Sequence, residues 1–375
     1  MPFQFKILHS SKKSRARVGK IITPHGDIDT PGFVAVGTNG TIKGIDNATL
    51  DAMGVQLMFC NTYHLLLQPG TKVVKEAGGL HAFINRKKPI ITDSGGFQVF
   101  SLAYGGVHDE LKSRGKKKTD GMVLKITEDG VHFRSYRDGS KFLLTPESSI
   151  LAQKELGADI IIPFDELPPY HIDKDELAKS LARTHRWEIR SLATHLENPQ
   201  NQAIYAVIHG GVDEDLRKES CQTLTKYPFD GFAIGGSVGK NKRELEELIR
   251  FTTPLLPEDK PVHLLGIGDL PSLAATIPSG IDTFDSSYPT KAARHGLLLT
   301  KEGGIKIKQG FFKSHFAPIE ADCSCFTCLQ YSCAYLHHLL KANELTFYTL
   351  ATIHNLHFMV KMMQETRKLI FEDQI

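Results

Sequence analysis

Asp93, in PIITDSGGFQ, and Asp285, in IDTFDSSYPTK, each close a short β-branched apolar run and open a turn rich in Gly and Ser. An unpaired buried carboxylate is strongly destabilising, so two acids set at the ends of buried segments call for a function. Proton transfer and nucleophilic attack are the chemistry that carboxylates supply there. Three further segments end in the same way: Asp165-Glu166 in IIPFDELPP, His209-Gly210-Gly211 in AVIHGGV and Gly235-Gly236 in FAIGGSVG. Taken singly, each has a bland explanation: a tight turn, a structural histidine, a solvated acid. Together they offer an acid to accept from ring N–H and amino groups, an imidazole or bare backbone N–H to donate to a carbonyl, and an aromatic face at Phe97 for stacking. A flat, purine-like heterocycle needs that mixture.

A different chemistry is written near the C-terminus. Three of the chain's six cysteines crowd into Cys323-Ser-Cys325-Phe-Thr-Cys328. Three thiolates and one imidazole complete the tetrahedral shell of a structural zinc and leave no position open for water. His354, in ATIHNLHF, can supply the imidazole, and His337, His338, His357 and Cys333 compete with it as fourth donor.

The elements that must position these groups recur along the chain. Apolar runs stand at 32–36, 55–59, 89–92, 159–164, 203–208, 231–234, 262–267 and 281–284. Their continuous apolarity is that of parallel strands covered on both faces. Helical segments fall between most of them, at 148–156, 173–196 and 240–251. The pattern predicts a parallel (β/α)8 TIM barrel, an α/β fold whose active-site groups lie at the strand C-terminal ends. An open doubly wound sheet fits less well, because no GxGxxG follows the first strand. Residues 3–30 predict an antiparallel hairpin capping one end, and 122–144 a small β-meander inserted after the third strand. The chain is expected to divide into a barrel over 1–310, with an insertion at about 100–145, and a zinc-binding helical subdomain over 311–375 packed on it.

Composition excludes more than it assigns. The chain has 375 residues, 41% of them hydrophobic, and contains no apolar stretch long enough to span a bilayer. The N-terminal MPFQFKILHSSKKSRAR lacks the apolar core of a secretory signal, so a cytoplasmic location is expected. A net charge of +3 is too weak to argue for nucleic acid. The run Arg114, Lys116, Lys117 and Lys118 is a local basic cluster suited to phosphate or to a solvated face.

TDSGGFQ, PFDE, GFAIGG, GIG, FDSSYPT with Lys291 and Arg294 just after it, and CxCxxC with a distant His together resemble the bacterial-type queuine tRNA-ribosyltransferase (tRNA-guanine transglycosylase) family over essentially the whole chain. The resemblance implies a pentosyltransferase that exchanges wobble guanine in tRNAs with GUN anticodons (Asp, Asn, His, Tyr) for a 7-deazaguanine. It implies Asp285 as nucleophile toward ribose C1′ and Asp93 as general acid/base. Asp165, His209, Gly235 and Gly236 would read the base, with Phe97 and Leu265 sandwiching it. Lys291, Arg294, Lys116 and Lys117 would hold anticodon-loop phosphates. Cys323, Cys325, Cys328 and His354 would bind one structural Zn2+ per subunit of a homodimer.

Four positions depart from the common bacterial pattern of that family: Leu167 where a cysteine is usual, His209 where a glutamine is, Phe97 where a tyrosine is, and GGSVG where GGLAVG is. The shortened loop, with Ser237 and Gly239 in it, leads to the expectation that the pocket takes queuine, with its cyclopentenediol, as well as or in place of preQ1. Two other readings remain at this stage. A non-catalytic tRNA-binding partner subunit would not need both Asp93 and Asp285. A metal-dependent barrel hydrolase would need spaced His ligands at the strand ends.

Overall fold

The computed structural model describes residues 3–104 and 123–375. The chain begins with a three-stranded antiparallel sheet, β1 (Gln4–Ser10), β2 (Arg17–Thr23) and β3 (Gly26–Thr30). It enters the barrel through β4 (Gly32–Val36), β5 (Met58–Cys60) and β6 (Ile90–Thr92) and then makes an antiparallel meander, β7 (Val123–Ile126), β8 (Val131–Arg134) and β9 (Lys141–Leu144). The barrel resumes with β10 (Ile160–Ile161), β11 (Ala203–Ile208), β12 (Gly231–Ile234), β13 (Val262–Leu264) and β14 (Thr283–Ser286). These eight strands are parallel and close on themselves, β10 pairing with β6 and β14 with β4. Every expected run thus contributes a barrel strand. The N-terminal hairpin has a third strand, and a further hairpin, β15 (Leu297–Thr300) and β16 (Gly303–Lys306), follows the barrel.

Alternation within a strand decides what each residue covers. Along β11, Ala203, Tyr205 and Val207 join one apolar cluster with Val34, Phe59 and Ile91, while Ile204, Ala206 and Ile208 join another with side chains of the surrounding helices. Both faces are therefore dry, which is why these strands read as unbroken apolar runs. The connecting helices start at side-chain caps close to the strand exits: Thr145, Asp173, Asp213, Asn241 and Asp269 each accept from a backbone N–H of the first turn. Each cap stabilises its helix start by about 1 kcal/mol and fixes where the preceding loop ends.

The opposite, N-terminal end of the barrel is sealed by β1–β3. Arg17 makes two hydrogen bonds to the wholly buried Asp282, Nε to Oδ1 at 3.0 Å and Nη2 to Oδ2 at 2.6 Å. Breaking such a pair from one side leaves the other charge stranded, at about 3–5 kcal/mol. The last helix, Leu345–Phe371, lays Ile353, Leu356, Met359, Met363 and Ile370 into the same apolar cluster as the barrel's outer layer. Among the described residues, no helix is long and apolar enough to cross a membrane.

Candidate active site

Asp93 leaves β6 and lies at the start of the Thr62–Leu67 helix, which follows the neighbouring strand β5. Its Oδ2 accepts from Asn61 Nδ2 at 2.6 Å, and its Oδ1 accepts from the backbone N–H groups of Thr62 at 2.8 Å and Gly95 at 3.2 Å. The Thr62 hydroxyl donates to its carbonyl at 2.6 Å. Burial nonetheless outweighs these donors and pushes the carboxyl up from 3.8 to about 6. A carboxyl at that level can both give and take a proton near neutral pH.

Asp285 lies within β14, one residue before its end, and is as deeply set. Oδ1 accepts from Gly266 N at 2.8 Å and from His263 Nε2 at 3.0 Å. Oδ2 has no hydrogen-bond partner among the described residues, so one oxygen is anchored and the other is free.

Asp165 is held by groups outside the strand ladder. β10 is two residues long, and Pro163 has no N–H to continue its pairing. Side chains of the flanking helices take over: Ile162 N donates to Gln153 Oε1, Phe164 N to Ser191 Oγ and Glu166 N to Thr184 Oγ1, all within 3.1 Å. Asp165 then accepts from Ser94 Oγ at 3.0 Å and from His209 Nε2 at 2.9 Å. Because a carboxylate can only accept, His209 carries its hydrogen on Nε2 and spends it on Asp165. Its Nδ1 faces Gly236, where a Cβ would come to 2.8 Å and the backbone has φ +74°, so this position requires glycine.

The exits of β11 and β12 share a clamp. Arg217, with no exposed surface, donates to the carbonyls of Ile208, Gly211, Gly235 and Ser237. Burial pushes its guanidinium down to about 10, and it ties together the two loops that carry His209 and Gly235-Gly236. Behind them, the Ser220 hydroxyl accepts from His209 N–H and faces the buried His185, whose pKa burial lowers to about 4. Val207 N donates to the fully buried Glu188, whose pKa burial raises well above the usual range. Asn61, Thr62, His263, Arg217 and Glu188 carry no functional signal in the sequence; each reads as an ordinary loop, strand or helix residue.

The strand ends therefore bring together Asp93 with Ser94, Asp165 with His209, Gly235-Gly236, Leu265 and Asp285. Phe97 is 44% exposed at the start of the Gly96–Tyr104 helix, and Leu265 packs beside Gly235. Lys291 is exposed and Arg294 half-buried on the Tyr288–Arg294 helix that follows Asp285. Lys116 and Lys117 lie outside the described residues. A cavity of about 170 Å³ opens beside His209, lined also by Gly236, Ser237, Glu166, Thr184 and Asp213. Ser237 thus lines it, whereas Leu167 packs against the apolar cluster around Tyr63 and Trp187.

The C-terminal cysteines gather around one nitrogen. Cys323, Cys325 and Cys328 Sγ lie 3.8, 3.5 and 3.4 Å from His354 Nδ1. Ligands on a tetrahedral zinc stand about 3.5 Å apart, given bond lengths near 2.3 Å to sulfur and 2.0 Å to nitrogen. His354 Nε2 donates to Leu299 O at 2.8 Å, which leaves Nδ1 unprotonated and aimed at the thiolates. Two of the competing donors are engaged elsewhere, His337 with Ile307 O and His357 with Ser324. These four residues can hold a metal ion. A second cluster, His25, His81 and Asp159, fits a metal less well. Its two rings stack 3.5 Å apart and 12° from parallel, so their lone pairs run side by side and do not converge. Asp159 is also engaged by His25 at 2.7 Å and Ile90 N at 2.9 Å, which makes the cluster a tie between the hairpin and the barrel floor.

Aspartates held by donors from neighbouring strand ends, at the C-terminal mouth of a closed parallel barrel, define a TIM-barrel enzyme. A family model, "Queuine tRNA-ribosyltransferase", matches residues 11–375. Proteins of that name from Protochlamydia amoebophila and Chlamydia abortus are 69% and 56% identical to the chain, over all of it and over 96% and 100% of their own lengths. One from Chlamydia trachomatis is 55% identical over the full length of both. The chain belongs to the queuine tRNA-ribosyltransferase family and is a pentosyltransferase.

Proposed function

We propose that this enzyme exchanges guanine at the wobble position of GUN-anticodon tRNAs for a 7-deazaguanine through a covalent glycosyl-enzyme intermediate. The observation that carries the reading is the unequal setting of the two aspartates. Asp285 has one anchored and one open oxygen, and Asp93 is buried among donors with its pKa near 6. Asp285 Oδ2 attacks ribose C1′ as the bond to guanine breaks, and Asp93 gives its proton to the departing base. The incoming base then attacks C1′, the ester bond to Asp285 breaks, and Asp93 takes back a proton. Two inversions give retention, as in retaining glycosidases. The target nucleotide must leave its stack to reach this mouth.

In this reading Asp165, oriented by Ser94 and His209, accepts from the base's N–H groups. His209 spends its Nε2 hydrogen on Asp165, and Gly235 N–H is bonded to Ile208 O, so the base carbonyl falls to the backbone N–H of Gly236. Phe97 and Leu265 cover the two faces of the ring. Lys291, Arg294, Lys116 and Lys117 take phosphates. The incoming base is queuine or preQ1, and the cavity beside His209, Gly236 and Ser237 supports queuine, because it offers room beside residues read as part of the base site. The metal is a structural Zn2+, one per subunit, since a Cys3His set is closed and thiolate-rich. Phe311, Phe316, Phe326, Leu329 and Leu345 are exposed in the C-terminal region, which supports a homodimer. The cytoplasm, where tRNA is found, is the compartment this function implies.

Denaturing electrophoresis of enzyme mixed with a GUN tRNA tests the core of the reading. A covalent adduct is expected for the native enzyme and none for Asp285→Asn; an undiminished adduct in the variant would overturn the assignment, and no adduct with the native enzyme would overturn it in favour of a non-catalytic role. Competition between preQ1 and queuine for one tRNA tests the choice of base, and a large advantage for preQ1 would rule out the queuine preference.

A further inference from the structure

We infer that His263 is a positioning residue for the reaction, setting how readily Asp285 enters and leaves its bond to ribose. The inference rests on Asp285 being the nucleophile. Strand register brings the pair together: His263 on β13 sits opposite Thr283 on β14, and Asp285 follows two residues later on the same face. Nε2 lies 3.0 Å from Asp285 Oδ1, and Nδ1 lies 2.8 Å from Thr283 Oγ1. His263 is wholly buried, so neither contact competes with water. The carboxylate can only accept, which puts a hydrogen on Nε2. The Thr283 hydroxyl occupies the other nitrogen and prevents the ring from turning away.

The consequence follows from where charge goes. In free enzyme the Nε2–H and Gly266 N–H stabilise the Asp285 carboxylate through Oδ1. When Oδ2 bonds to C1′ the group becomes a neutral ester, the C1′–N bond electrons leave with guanine, and both donors face a weaker acceptor. When the new base attacks, the C1′–Oδ2 electrons return to the carboxylate and both donors strengthen again. His263 therefore favours the carboxylate over the ester: it restrains attack and assists departure. A buried donor to a charged oxygen is worth enough to shift that balance by on the order of tenfold or more.

His263→Phe and His263→Gln test this, the first deleting the donor and the second returning an N–H of similar reach. With tRNA and a fixed concentration of free guanine, the equilibrium ratio of adduct to free enzyme is expected to rise about tenfold in His263→Phe. Release of the adduct by incoming base should slow by a similar factor, and His263→Gln should recover most of both effects. A residue that only supports the fold gives the opposite result, less adduct in both variants. A wild-type ratio in His263→Phe, or a reduced one with normal circular dichroism, would overturn the inference. Asp285→Asn run in parallel separates the two ideas: adduct surviving in that variant removes the nucleophile assignment itself, whereas its loss together with an unchanged His263→Phe removes only the role of His263.

Discussion

Replacing Asn61 by Leu deletes the 2.6 Å amide donor to Asp93 Oδ2 while keeping the same branched side-chain skeleton. A hydrogen bond to a charged group contributes about 1.5–3 kcal/mol, and one pH unit corresponds to about 1.4 kcal/mol. Burial already holds the carboxyl at about 6, so the substitution should raise it by a further one to two units, roughly. The two halves of the reaction then respond in opposite directions. Capture of the incoming base needs the carboxylate, and at pH 7 its rate should fall about two- to tenfold as that form is depleted. Expulsion of guanine needs the acid, and its rate at pH 7 should rise about five- to tenfold. Rapid-quench measurement of adduct formation, and of adduct discharge by added base, between pH 5 and 9 reads both. In the native enzyme discharge should lose rate below about pH 6, and in Asn61→Leu that limb should move up. Two half-reactions shifting in the same direction, or a limb unmoved by the substitution, would refute the assignment of that titration to Asp93.

Asp93→Asn should abolish exchange and yet stabilise the fold. The folded carboxyl's raised pKa means that the native protein holds a proton the unfolded chain releases between the ordinary 3.8 and about 6, so native stability falls as pH rises through that window. The variant should gain up to about 3 kcal/mol at pH 8 and little at pH 4; urea unfolding with equal gains at both would contradict the burial argument. Arg217→Met strands four loop carbonyls and should cost on the order of 3 kcal/mol of stability. It should also raise KM for the base more than KM for tRNA, and equal effects on the two would remove its assignment to the base-side loops. Cys325→Ser should leave the purified protein with well under one metal per chain by elemental analysis and a lowered Tm, because metal binding is coupled to folding of such sites; full metal content would move the site elsewhere.

The barrel was legible in the sequence because its strands are covered on both faces, and dry strands leave unbroken apolar runs whatever their order in space. Asp93, Asp165, His209 and Asp285 were legible for the same reason: a polar residue ending such a run stands out where the strand exits. The metal cluster is three close cysteines on one short segment, so most of it is local. The groups that tune these residues were not legible. Asn61 reaches Asp93 across the β5–β6 pair, and His263 reaches Asp285 through the β13–β14 register. Arg217 looks like one more arginine on an amphipathic helix until the fold turns it under two glycine loops. The choice of His354 among several competing donors was likewise made by packing, through the carbonyl of Leu299. Sequence determined which residues stand at the strand ends, since burial is written along the chain. Only tertiary structure decided which donors meet them, since hydrogen bonds form across strand register and helix packing between residues far apart in the chain.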